Sequence, residues 1–264
     1  MPEQSPTADF ILSLARQAGE VIARLRDQLQ VDFKGGHELV TQADLAADQL
    51  IRDSIQASFP AHRILSEELA PDASSDAQHL WVIDPIDGTV NYAHQHPQVA
   101  ISIAYFCDGQ AQLAVVHNPF LNETFFAQRG QGARLNDQPV HCAETSDMQR
   151  AIIATGFPYQ KPDLPQLMRR LTAVLQHCAD VRRLGSAALD ICWVACGRMD
   201  GYYETVKPWD SAAARLIASE AGAMCGHIHP LPEGENEELF SENILIAVPA
   251  LFKPLQSLLQ QADG

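Results

Sequence analysis

Between residues 8 and 28, apolar side chains recur in steps of three and four, at Ile11, Leu14, Ala18, Val21, Ile22 and Leu25. That spacing predicts an amphipathic helix with one buried face. A second helical pattern, Ala47, Ile51, Ile55 and Phe59, follows Thr41-Gln42-Ala43-Asp44. Thr41 suits the N-cap, and Asp44 falls at the third helical position, where an acid is favoured by the helix dipole. Gly35-Gly36 interrupts the chain between the two helices and assigns Lys34 to a mobile loop. Ile64-Leu65 leads into Ser66-Glu67-Glu68, and a polar loop covers 71–78. The unbroken run Leu80-Trp81-Val82-Ile83 then predicts a buried strand that ends at Asp84, because Pro85 fixes its own φ and holds its neighbour extended.

Further on, short strand-like segments cover 99–106, 112–117, 124–127 and 133–135. Asp108-Gly109, Asn118-Pro119, Arg129-Gly130 and Asn136-Asp137 separate them, which indicates a largely antiparallel sheet. Beyond residue 145 the pattern changes. Strands are predicted at 151–155, 200–204 and 244–248, and helices at 164–177, from Gly185-Ser186 to Gly197, from Asp210 to Gly222, and at 251–259. No repeat or low-complexity linker divides the chain. The expectation is an α+β fold, with 1–264 as one unit made of an N-terminal half of about 1–145 and a C-terminal half of about 146–264.

Composition narrows the class. Hydrophobic residues make up 46% of the 264 positions and charged residues 19%, as in a soluble globular protein. The net charge of −15 lacks the basic footprint that direct nucleic-acid binding requires. No run approaches the roughly 20 apolar residues of a membrane helix, and the first residues lack the pattern of a signal peptide. A cytoplasmic location is therefore expected. The six cysteines include no C-x-x-C pair and read as buried free thiols. Cys225-Gly226-His227-Ile228-His229 reads as a solvent-facing loop rather than a soft-metal site.

Candidate chemistry centres on Asp84-Pro85-Ile86-Asp87-Gly88-Thr89-Val90-Asn91. Two acids, a glycine and a hydroxyl lie on one sharp turn, with a short helix able to start at Thr89. Carboxylates beside free backbone N–H groups suit a divalent cation together with a phosphate. Glu67 and Asp210 supply further acids at a strand end and a helix start. Taken singly, each acid is equally well explained as a turn or helix-terminus residue.

Asp84-Pro-Ile-Asp87-Gly88-Thr89 with Asn91-Tyr92, Trp209-Asp210-Ser-Ala-Ala and Glu220-Ala221-Gly222 resembles the inositol monophosphatase family. That family belongs to the lithium-sensitive, magnesium-dependent sugar-phosphatase superfamily. Residues 39–44, Ser66-Glu67-Glu68, 185–190 and 200–204 agree in the same order. The resemblance implies a layered α-β-α-β-α sandwich, a homodimer and a Mg²⁺-dependent phosphomonoesterase. It also implies that Glu67, Asp84 and the Ile86 carbonyl hold one Mg²⁺ and that Asp84, Asp87 and Asp210 hold a second, with a weaker third near Glu67. Asp44 and Thr89 would polarise the attacking water, and the backbone N–H groups of Gly88 and Thr89 would bind phosphate oxygens. Gly185, Ser186, Ala187 and Glu204 would meet the alcohol half of a small phosphorylated polyol or sugar, with inositol monophosphate the leading substrate. Histidinol phosphate, fructose-1,6-bisphosphate, NADP and 3′-phosphoadenosine 5′-phosphate are alternatives, as is a regulatory protein that uses the same fold for partner contacts. The sequence departs from the family in two places: six positions, not seven, separate Glu204 from Asp210, and the region after Gly222 diverges.

Overall fold

The computed structural model describes residues 5–28, 31–34, 38–70, 76–158 and 163–264. Helix α1 (Ala8–Leu25) starts at Thr7, whose Oγ1 accepts from the Phe10 N–H, and runs into a 3₁₀ turn at Arg26–Gln28. A small hairpin, β1 (Val31–Lys34) and β2 (Glu38–Thr41), precedes α2 (Gln42–Ser58). Lys34 thus ends a strand; the Gly35-Gly36 break lies outside the described residues.

A seven-stranded sheet follows, in sequential order: β3 (Arg63–Ser66), β4 (His79–Asp87), β5 (Ala100–Cys107), β6 (Gln110–Asn118), β7 (Glu123–Gln128), β8 (Ala133–Leu135) and β9 (Gln138–Val140). Only β3 and β4 run parallel; the other pairs are antiparallel, as the closely spaced turn signals require. The five-residue helix α3 (Thr89–Ala93) leaves the end of β4. A second sheet has the order β11 (Asp180–Arg182), β10 (Ile152–Thr155), β12 (Gly201–Glu204), β14 (Ile244–Ala247), β13 (Met224–His227). Helices α4 (Leu164–His177), α5 (Ala187–Ala195), α6 (Pro208–Glu220) and α7 (Pro249–Asp263) complete the chain.

The side-chain alternation of the strands assigns the layers. Trp81, Ile83, Ile101 and Ile103 face α1 and α2, whereas Leu80, Val82, Ala104 and Phe106 face α5 and α6. Tyr202, Ile244 and Ile246 close the central layer from the other side. Tyr203, Leu245 and Ala247 point outward under α4 and α7. The fold is therefore an α+β sandwich of five layers, α-β-α-β-α. Position in it explains helix composition: α1 has a single apolar stripe, while α5 and α6 lie between two sheets and are buried almost all round. Alanines at 212, 213, 214 and 218 let α6 pack closely against both neighbours.

Two further expectations change. Strand β4 does not stop at Asp84 but continues to Asp87, with a register shift between those residues, because Pro85 can give no N–H to the ladder. The segment around Cys225 is no solvent-facing loop. It forms β13, paired to β14, where His227 is buried and its Nε2 lies 3.4 Å from the Arg215 guanidinium. No helix among the described residues is long and apolar enough to cross a membrane.

Candidate metal and phosphate site

The register shift in β4 turns Asp84 and Asp87 toward the same cavity, and the Ile86 N–H donates to Asp84 Oδ1 at 2.9 Å. Gly88 then takes φ +99°, a left-handed conformation that costs glycine little. A Cβ there would also lie 2.8 Å from the Gln98 carbonyl oxygen and 3.1 Å from that of Gly185. Asp210 arrives from the first turn of α6, where its Oδ2 accepts from the Lys207 N–H at 2.8 Å. Carboxylate oxygens of Asp84, Asp87 and Asp210 all lie within 4.8 Å of one another. Glu67 lies outside that close group but lines the same cavity.

These acids repel one another. Burial, with the charges of Glu67, Asp87 and Asp210, raises Asp84 well above the usual carboxylate range. Burial and Asp210 push Asp87 up to about 7, against the lowering effect of hydrogen bonds from Ser186 and Ala188. Three hard oxygen donors that crowd together fit a divalent cation such as Mg²⁺, which would relieve the repulsion.

Beside them, Thr89 Oγ1 stands 3.2 Å from Asp44 Oδ1 and 3.1 Å from the Ile86 carbonyl oxygen. Asp44 is held by a capping box, in which the Thr41 N–H and hydroxyl both donate to its Oδ2. Burial nevertheless raises Asp44 to about 6. The helix-start acid read from sequence and the acid beside Thr89 are thus one residue with two sets of partners.

The cavity has a volume of about 840 Å³ and is lined also by Gly185, Ser186, Ala187 and Glu204. Ser186 gives its hydroxyl to Asp87 Oδ2 at 2.6 Å while capping α5. Glu204 lies over Gly156, where a Cβ would come within 2.1 Å of its carboxylate, and accepts from the Tyr202 hydroxyl at 2.6 Å. Burial pushes Glu204 up to about 8. The six-residue step to Asp210 leaves it lining the cavity.

Two acids were given no role in the sequence reading. Asp48 is fully buried, one helical turn after Asp44, and its Oδ2 accepts from Ser66 Oγ and the Leu69 N–H, both at 2.9 Å. It ties down the turn that presents Glu67. Asp190 is 2% exposed and lines the cavity wall. In both cases an acid within an apolar helical pattern was the available signal. Asp48→Ala is expected to free the Glu67 turn and weaken the response to Mg²⁺ by about tenfold, as read from thermal midpoints along a Mg²⁺ titration. An unchanged titration midpoint would remove Asp48 from this role.

The site is thus a cluster of acids from a strand bulge and a helix start, gathered between the two sheets of a five-layer sandwich. A model of the inositol monophosphatase family matches residues 3–261, and the chain belongs to that family. It is 38% identical over 261 residues to a Pasteurella multocida protein named Nus factor SuhB, covering 97% of this chain and 96% of that one. The crystal structure of extragenic suppressor protein SuhB from Bartonella henselae superposes with a TM-score of 0.87 at 32% identity, covering 96% of this chain and 98% of the other. A structure described as an IMPase/NADP phosphatase complexed with Mg²⁺ and phosphate gives a TM-score of 0.83 at 26% identity, covering 95% and 93%.

Proposed function

We propose that the protein is a Mg²⁺-dependent phosphomonoesterase acting on a small polyol or sugar phosphate, with inositol monophosphate the leading substrate. The observation that carries this reading is the group of three carboxylates within 4.8 Å, set beside the Thr89–Asp44 pair in one cavity. Glu67, Asp84 and the Ile86 carbonyl would hold one Mg²⁺, and Asp84, Asp87 and Asp210 a second. When bound, the metals supply Lewis-acid activation of water and stabilise the leaving alkoxide. Thr89 Oγ1 orients the attacking water by accepting its hydrogen, and passes its own hydrogen bond to Asp44. The N–H groups of Gly88 and Thr89 meet phosphate oxygens, which the missing Cβ of Gly88 allows to come close. A cavity of about 840 Å³ has room for a phosphorylated six-carbon ring. Among the rival esters 3′-phosphoadenosine 5′-phosphate is disfavoured, because such nucleotide phosphatases usually carry Lys-Gly where this chain has Val90-Asn91, whereas NADP stays in the panel beside the IMPase/NADP phosphatase relative.

A second reading, a regulatory protein working through partner contacts on the same fold, is favoured by the relatives named Nus factor SuhB. A phosphate-release panel over inositol monophosphate, histidinol phosphate, fructose-1,6-bisphosphate and NADP, with Mg²⁺ titration, separates the two. Mg²⁺-dependent release is expected, fastest from inositol monophosphate. If folded protein releases phosphate from none of them, the enzymatic reading fails and the regulatory one stands.

A further inference from the structure

A second cavity, of about 170 Å³, shares no lining residue with the large one among the described residues. Ala212, Arg215, Leu216 and Ser219 line it in steps of three and four, which places it on the face of α6 turned away from Asp210. Arg129 from the β7–β8 turn and Glu237 and Glu238 from the loop before β14 line it as well. Arg215 is 4% exposed, yet no carboxylate among the described residues lies within ion-pair reach of it. Its Nη1 meets His227 Nε2, and the His227 Nδ1 lies 3.0 Å from the Glu242 carbonyl oxygen. Nδ1 therefore carries the ring's proton, and Nε2 offers Arg215 a lone pair but no charge. The Nε and Nη2 N–H groups form the fork with which Arg170 grips Asp263 elsewhere in the chain. In Arg215 that fork has no partner among the described residues, and neither nitrogen is sealed from the cavity. A buried guanidinium left open on one edge is costly unless an anion meets it, and a planar carboxylate fits that edge with two parallel bonds.

The remaining charges say what else the anion carries. Arg129 Nη2 holds both Glu238 carboxylate oxygens, at 2.6 and 2.8 Å, so those two charges offset each other. That leaves one positive group inside, Arg215, and one negative group on an exposed residue, Glu237. We propose that this cavity is a second ligand site that takes a small α-amino acid, its carboxylate in the Arg215 fork and its ammonium group toward Glu237. A cavity of roughly 150 Å³ holds a benzene-sized molecule, so about six to nine non-hydrogen atoms fit here. Ala212 and Leu216 supply an apolar wall for a short side chain. Inorganic phosphate is a poorer match, because two glutamates line the same small volume. The site goes beyond the phosphatase reading and does not depend on it.

The test is calorimetric titration of the protein in saturating Mg²⁺ with L-alanine, L-serine, acetate, methylammonium and inorganic phosphate. An amino acid should bind saturably at one site, at least about tenfold more tightly than acetate or methylammonium, each of which engages only one of the two charges. Arg215→Met, similar in length but uncharged, should abolish that binding. Glu237→Gln should weaken it about tenfold and leave acetate unchanged. Glu237 is exposed, so its variant carries the test if Arg215→Met fails to fold. No saturable binding of either amino acid by the wild type overturns the proposal, as does binding that either folded variant leaves unchanged. Acetate bound as tightly as the amino acids would remove the role of Glu237 and overturn it too. Phosphate binding that alone is lost in Arg215→Met would make the cavity a site for inorganic anions instead.

Discussion

Asp87→Asn is expected to lower Mg²⁺-dependent phosphate release by a factor on the order of 10³ while making the metal-free protein more stable. The two effects share one cause. Asp87 is buried beside Asp84 and Asp210, and its charge is tolerated only at a cost that pushes it up to about 7. An amide can still accept the hydrogen bonds that Ser186 Oγ and the Ala188 N–H now give to Oδ2, so the start of α5 stays in place. It cannot supply the negative charge that draws in a hard cation. Near pH 8 the midpoint of the metal-free variant should therefore rise by a few degrees, at roughly 2–4 °C for each kcal/mol of relieved repulsion. Phosphate release and differential scanning fluorimetry read the two halves of the prediction. Near-normal turnover in Asp87→Asn would reject its assignment as a metal ligand.

The second large effect is the pH dependence of stability without metal. Asp44, Asp87 and Glu204 stand at about 6, about 7 and about 8, each raised chiefly by burial from ordinary values of 3.8, 3.8 and 4.5. A carboxyl group whose pKa is higher in the folded than in the unfolded state binds its proton more tightly when folded. Its contribution is complete below about pH 4 and is lost as pH rises through the folded value. Metal-free protein should thus lose stability progressively between pH 4 and pH 8, by up to about 1.4 kcal/mol per pH unit for each group still titrating. Mg²⁺ replaces protons at the acids it touches, so the midpoint shift produced by saturating Mg²⁺ should be larger at pH 8 than at pH 5.5, with protons released on binding. A Mg²⁺ shift that shrinks with rising pH would contradict the site as drawn.

Much of the fold was legible because periodicity reports which face of an element is buried. The stripe of α1 follows directly from it, while the cap of Thr41 and Asp44 was read from residue types at a helix start and the antiparallel order from the turns between short strands. Strands β11 and β13 were not legible. Strands β10, β12 and β14 are as short but carry an apolar or aromatic run that β11 lacks, and the Gly and His of β13 are held there by pairing with β14 rather than by propensity. The central turn was readable as chemistry because aspartates, glycine and threonine crowd eight positions, yet the continuation of β4 through Pro85 depended on a bulge that only the neighbouring strand reveals. Asp48 and Asp190 were missed for a common reason. Their importance lies in what packs against them from elsewhere in the chain, and a single acid in an apolar pattern does not say what that is.

The acids come from different parts of the sandwich: Asp84 and Asp87 from the seven-stranded sheet, Asp210 from the helix layer between the sheets, and Glu204 from the five-stranded sheet. No single layer owns the centre. A cation held by Asp84, Asp87 and Asp210 would act as a rivet between the seven-stranded sheet and the helix layer, strengthened by anything that presses those two layers together and weakened by anything that lets them slide. Metal affinity would then be a gauge of how well those layers are docked, and a substitution far from the cavity, in the packing of α6 for example, would register first as a change in ion binding.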